Sequence, residues 1–318
     1  MRDHGGNLDW ATRTWGGCDW IDLSTGINRV AYPVGEVAAQ AWTALPTRVA
    51  LEGLLAAARV TYATDAPMVA LAGAQAAIQM IPRLGAPGLA RVLGPTYNEH
   101  AASLRAAGWR VEEVTDWTAL RGADLAVVVN PNNPGGQSYA PRDVLALLGQ
   151  VGRLVVDESF ADATPESSVA VVADAPGLIV LRSFGKFYGL AGLRLGFALG
   201  NGPDIAALTE MAGPWPVSGV AIEIGTRALL DRSWSTATVA RLRDDVARLD
   251  RLTGWRLEGG TALFRLYWVQ DAVGAQDRLA RHRIWSRIFP YSAHWIRLGL
   301  PGSEAEFSRV SDALSGEG

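Results

Sequence analysis

The sequence predicts an α/β protein, with a large domain around a mostly parallel seven-stranded sheet and a smaller α+β domain attached. Three observations lead there. From about residue 35 to about 200, short apolar runs that end in glycine, proline or asparagine alternate with stretches of helical periodicity. Most of these runs are apolar throughout, as strands covered on both faces must be. Past about residue 203 the texture changes to long helices and then to further short runs. The large domain is therefore expected over 36–215, and the small one over 1–35 together with 216–318.

In chain order, the expected strands of the large sheet are 68–72, 91–93, 110–114, 125–129, 154–156, 178–182 and 195–199, rich in valine, leucine and alanine. Helical periodicity fills the gaps at 49–58, 76–84, 99–107 and 143–150. Two longer helices follow at 220–230 and 236–252, the second with an outer face of arginine and aspartate that reads as solvated. The tail offers strands at 255–257, 262–268, 284–289 and 295–298, with helices between and after them.

Composition narrows the function classes. With 318 residues, 49% of them hydrophobic and 19% charged, the chain can bury a substantial core, and a net charge of -3 leaves no electrostatic footprint for nucleic acid or an anionic membrane. The lone Cys18 cannot form an internal disulfide, and the four histidines are too scattered to suggest a metal site. The start of the chain lacks the apolar run of a signal peptide, and no later stretch is long enough to span a bilayer. A soluble, cytoplasmic protein is expected.

In open α/β sheets ligands sit beyond the carboxyl ends of the strands, so polar residues that close apolar runs are the candidates. After 68–72 come Gly73, Ala74 and Gln75 at a helix start, where a glycine and successive backbone N–H groups make a phosphate cradle. A plain strand-to-helix turn looks the same. After 125–129 comes NPNNPGG, in which Asn133 can bond a ligand edge while the prolines fix the backbone. An irregular loop is the competing reading there. After 154–156 comes DESF, placing Asp157 where a carboxylate is costly unless partnered, with helix capping as the alternative. Finally, SFGKFYGLAGLRLGF (183–197) holds Lys186 with a serine three residues before it and an arginine eight after. The lysine suits an imine to a phosphorylated aldehyde, with Ser183 and Arg194 supplying a hydroxyl and a bidentate cation for the phosphate; taken alone, a surface lysine in a loop fits as well.

An asparagine, an aspartate twenty-four residues on, a lysine twenty-nine further and an arginine eight beyond that form an order that resembles the fold type I pyridoxal 5′-phosphate enzymes of the aspartate aminotransferase superfamily. The resemblance implies that Lys186 carries the cofactor, Asp157 pairs with its pyridine nitrogen and Asn133 bonds its 3-oxygen. It further implies that Tyr97, in GPTYNEH, stacks on the ring, and that Ala74, Gln75, Ser183 and Arg194, beside Gly73, hold the phosphate. Within the superfamily the chain is similar to the histidinol-phosphate aminotransferase branch, and there to the threonine-phosphate decarboxylases of cobalamin biosynthesis. HGGN (4–7), DLSTGIN (22–28), GPTYNEH, NPNNP, DESF and WIRLGLP (295–301) carry that likeness nearly end to end.

Departures matter too. Phe160 stands where many relatives have a tyrosine beside the cofactor, Gly135 where a threonine is usual, and Leu45 where relatives often carry a tyrosine that reaches the neighbouring subunit. Phe160 looks like the decarboxylase group. By the same resemblance Arg297 grips a substrate α-carboxylate and Arg287 a substrate phosphate, with His4, Asn28, Tyr291 and His294 as helpers. Two anion clamps suit L-threonine O-3-phosphate, whose decarboxylation gives (R)-1-amino-2-propanol O-2-phosphate. An aminotransferase of the histidinol-phosphate type is the alternative, because the bond set perpendicular to the cofactor ring decides the reaction and no residue count fixes it. A homodimer is implied by the family.

Overall fold

The structure, a computed structural model, describes residues 4–315. Two compact units divide the chain: one takes the part up to Ala31, the tripeptide Pro134–Gly136 and the part from Trp234, and the other takes Tyr32–Asn133 and Gln137–Ser233. Along the chain a two-residue strand, β1 (Ile21–Asp22), comes first. Next are β2 (Met68–Leu71), β3 (Leu89–Leu93), β4 (Arg110–Val114), β5 (Leu125–Val129), β6 (Leu154–Asp157), β7 (Leu178–Ser183) and β8 (Gly196–Gly200). The last are β9 (Arg256–Thr261), β10 (Phe264–Trp268), β11 (Ile284–Trp285), β12 (Arg287–Phe289) and β13 (Ser292–Gly299).

In the larger unit β2 to β8 make one seven-stranded sheet in the order β2-β8-β7-β6-β5-β3-β4. Only β8 runs antiparallel to its neighbours, and every other pairing is parallel. Every residue of β2, β5 and β6 is buried, which is why those segments read as unbroken apolar runs. The edge strand β4 instead carries Arg110, Glu112 and Glu113, charges that discourage further pairing. On one face, Ile78, Leu104 and Leu208 of three helices pack with Val69, Val127 and Ile179 of the sheet. Each such side chain contributes about 1.5–3 kcal/mol by leaving water.

The helix Gly219–Leu230 corrects an expectation, because the change of texture near residue 203 assigned it to the small domain, whereas it belongs to the larger unit. Gly225 explains this: a Cβ there would lie 2.5 Å from Leu195 Cδ2 and 3.1 Å from Leu54 Cδ1, so the helix seats closely on the helix Arg48–Tyr62. Thr61 Oγ1 also donates to the Leu229 carbonyl at 2.7 Å.

The smaller unit has a four-stranded antiparallel sheet, β12-β13-β10-β9, and a short parallel pair, β1 with β11. The single strand expected over 284–289 is thus two strands, parted at Ser286, whose carbonyl accepts from Gln276 Nε2 at 2.9 Å. Against β11 packs the helix Leu8–Trp15, capped by the Asn7 side chain. Its indoles, with those of Trp20 and Trp285, form a cluster in which ring centroids lie 5.2 Å (Trp10–Trp15), 5.3 Å (Trp10–Trp285), 5.5 Å (Trp15–Trp285) and 6.3 Å (Trp20–Trp285) apart. Trp15 Nε1 donates to Asp277 at 2.9 Å. Among the described residues no helix is long and apolar enough to cross a membrane.

Candidate active site

Beyond the end of β2 the chain turns at Gly73, φ +78°, into the helix Ala74–Met80. Two glycines make this turn an open cradle. A Cβ on Gly73 would lie 2.6 Å from Arg194 Nη2, and one on Gly196 would lie 2.4 Å from the Ala74 nitrogen. The backbone of β8 and a guanidinium therefore approach the first N–H groups of a helix, which have no partners within it. Arg194 itself is left-handed, φ 55°, and its Nη1 donates to the Ala191 carbonyl at 3.1 Å. Ser183 sits opposite Gly196 in the β7–β8 pairing. Cationic, amide and hydroxyl donors thus gather around a volume suited to a phosphate.

Asp157 closes β6 and is 2% exposed. Its carboxylate accepts from the Ser159 nitrogen at 2.9 Å and lies 2.8 Å from His100 Nε2. Burial pushes the carboxyl up, but the His100 ring and the Ser159 hydroxyl and N–H outweigh it, so the net direction is down and the group is ionised at neutral pH. Glu158, the next residue, pairs instead with Arg182 at 2.8 Å, and Arg182 also binds Asp162 at 2.8 Å. That buried ionic set steadies the strand ends beneath the site. In the loop after β5, Asn130 bonds the backbone of Tyr139, and Asn132 bonds the Pro95 carbonyl and Thr96. Those two asparagines hold the loop, and Asn133 lines the cavity.

Lys186 belongs to the short helix Phe184–Phe187 that follows β7, its Nζ 5.7 Å from the centre of the Phe160 ring. Tyr97 Oη donates to Gln75 Oε1 at 3.1 Å, and Gln75 Nε2 donates to Glu99 at 3.0 Å. Gly73, Ala74, Gln75, Tyr97, Asn133, Asp157, Phe160, Ser183, Lys186 and Arg194 all line one cavity of about 140 Å³ in the larger unit. The sequence did not single out Glu99, His100 or Ser159 as their partners. A serine two residues after an aspartate is a local turn signal that can be read in advance. The pairing of His100 with Asp157 joins residues far apart in sequence and leaves no such trace.

The smaller unit holds the remaining candidates. His4 and Arg287 line a cavity of about 320 Å³ with Trp10, Ser24, Gln276 and Trp285. HGGN is built into the fold: a Cβ on Gly5 would lie 2.5 Å from the Ser24 carbonyl, and the Gly6 nitrogen donates to Ser24 Oγ at 2.7 Å. That same carbonyl accepts from Arg297 Nη2 at 2.6 Å. Arg297 faces Arg287 directly across the β12–β13 pairing. Burial, and after it the charge of Arg287, pull its pKa down to about 10. Asn28 is buried, its carboxamide oxygen accepting from Arg241 at 2.7 Å and from the Val30 nitrogen at 3.1 Å. Tyr291 is exposed, while His294 stacks on Trp268 and meets the Val269 and Gln270 carbonyls through Nδ1.

Comparison with known proteins adds to this geometry. The sequence model of the family described as aminotransferase class I and II matches residues 45–305. The threonine-phosphate decarboxylase of Pseudomonas aeruginosa is 44% identical, over 99% of this chain and 98% of that protein. A threonine-phosphate decarboxylase of Sinorhizobium sp is 41% identical, over 98% and 97%. Among solved structures, histidinol-phosphate aminotransferase from Sinorhizobium meliloti, in complex with pyridoxal-5′-phosphate, superposes with a TM-score of 0.85 at 20% identity, covering 96% of this chain and 92% of that one. That last likeness is one of fold.

Proposed function

The chain belongs to the aminotransferase class I and II family, and from that membership we propose that it is a pyridoxal 5′-phosphate-dependent carboxy-lyase that decarboxylates L-threonine O-3-phosphate. The products would be carbon dioxide and (R)-1-amino-2-propanol O-2-phosphate, a precursor in cobalamin biosynthesis. The likeness to two threonine-phosphate decarboxylases over nearly their whole lengths supports the reaction. The observation that carries the choice of substrate is the placing of Arg287 opposite Arg297. Two neighbouring guanidinium groups suit a substrate that carries both a carboxylate and a phosphate.

The cofactor suits the residues present. The cradle of Gly73, Ala74, Gln75, Ser183 and Arg194 has the donors for its phosphate, the ionised Asp157 for its pyridine nitrogen, and Tyr97 and Phe160 the apolar surface for its ring. When bound, pyridoxal 5′-phosphate supplies an aldehyde for amines and a protonated ring that draws electrons from the substrate's Cα. Lys186 would carry it on its ε-nitrogen and later deliver a proton to Cα. Asp157, held by His100 and Ser159, would keep the ring nitrogen protonated. Asn133 would bond the 3-oxygen, where Phe160 offers no hydroxyl as a second donor. In this reading Arg297 takes the substrate's carboxylate, Arg287 its phosphate, and His4 and Asn28 assist. With its carboxamide oxygen held by Arg241, Asn28 would meet an anion through Nδ2.

A homodimer in the cytoplasm is the setting this reading expects. Incubation of the purified chain with cofactor and threonine phosphate tests the activity, with carbon dioxide and aminopropanol phosphate as the expected products. Conversion of the cofactor to its pyridoxamine form without carbon dioxide would mark an aminotransferase instead. Borohydride reduction and peptide mapping should find the pyridoxyl group at Lys186, and its absence there would refute the assignment.

A further inference from the structure

Glu99 is 5% exposed, a carboxylate taken out of water in the first turn of the helix Glu99–Ala106. Desolvation makes such a group costly to keep. It does not line the cavity of the larger unit, whereas Gln75 and Tyr97 do. Its link to that cavity runs through Gln75.

A carboxamide has a donor end and an acceptor end. Because Gln75 Nε2 donates to Glu99 at 3.0 Å, Oε1 is turned toward Tyr97, whose hydroxyl donates to it at 3.1 Å. The reversed amide would set an oxygen against the carboxylate, and the phenol would lose its acceptor. Glu99 thus dictates which way Gln75 faces, and Gln75 in turn dictates where the Tyr97 hydroxyl sits. With its side chain engaged at both ends, Gln75 is suited to offer an anion its main-chain N–H.

We propose that Glu99 is a positioning residue which, acting through Gln75, fixes the tilt of the Tyr97 ring against the cofactor. The inference rests on the cofactor reading given above. His100 occupies the same turn and holds Asp157, so this one turn steadies both the ring-face contact and the carboxylate.

The test is a double-mutant cycle on the full chain, read as the dissociation constant of pyridoxal 5′-phosphate and the visible circular dichroism of the bound cofactor. Glu99→Ala should weaken binding about fivefold, the worth of one hydrogen bond, and alter the dichroic band. In a Tyr97→Phe background, which keeps the ring and removes the donor, the same substitution should change affinity by less than about twofold. Glu99→Gln, which can still accept from Gln75, should recover most of the loss. Equal losses in both backgrounds, or an unaltered band, overturn the proposal. Should Glu99→Ala not fold, Gln75→Leu cuts the same link and carries the same expectations. A parent chain that shows no cofactor band at all would refute the cofactor reading itself, an outcome distinct from a parent that binds while the cycle is additive.

Discussion

Asp157 shows how a buried carboxylate stays charged: its desolvation is outweighed by a ring nitrogen and by the hydroxyl and backbone N–H of Ser159. Its folded pKa lies below its unfolded value of about 3.9, so the stabilisation is complete above about pH 4 and is lost as pH falls through the folded value. Asp157→Asn should therefore flatten the acid limb of a plot of melting temperature against pH, and a limb of unchanged steepness would contradict this. Activity in the same variant should fall by about 100-fold, the usual scale for removing one electrostatic contact to a reacting centre. That Gly73, Asn133, Asp157 and Lys186 come together was legible in the sequence, because all lie at or just beyond the carboxyl ends of apolar strands, and they line one cavity. Which residues hold them was not. Glu99 and His100 read as ordinary helix-start residues, and only the placing of that helix beside the helix Ala74–Met80 and the end of β6 gives them partners.

At the level of elements, the β12–β13 pairing brings two arginines face to face. A pKa of about 10 for Arg297 lies below the ordinary arginine value, so its cation is disfavoured by the fold at every pH below about that value. Arg287→Ala should remove most of the rise in melting temperature produced by inorganic phosphate. A variant that keeps the full phosphate response would count against the paired clamp. The β2 turn gives a second expectation. Gly196→Ala forces a Cβ to 2.4 Å from the Ala74 backbone, so β8 and the helix start must separate. A loss of about 1–3 kcal/mol in urea unfolding should accompany weaker cofactor binding. Sequence periodicity located the seven strands of the large sheet to within a residue or two. It merged β11 with β12, because the break at Ser286 depends on Gln276 and on a parallel partner, β1, from the other end of the chain.

At the level of the whole molecule, the sequence separated a large sheet-bearing part from a smaller one but misplaced the helix Gly219–Leu230, whose allegiance is decided by a close fit at Gly225 rather than by texture. The larger unit also exposes apolar side chains close together in the chain, with Trp42 69%, Leu45 65% and Val49 77% exposed. Their burial against a second copy would suit the proposed homodimer. Trp42→Glu should shift the sedimentation of the chain toward the single-copy mass, and an unchanged two-copy species would remove this patch from the interface. The tryptophan cluster has a consequence for observing the protein. Four indoles with centroids 5.2 to 6.3 Å from a neighbour absorb ultraviolet light as a coupled set, not as isolated chromophores. Displacing the leading helix would break that coupling, so near-ultraviolet circular dichroism reports on its seating without any added dye.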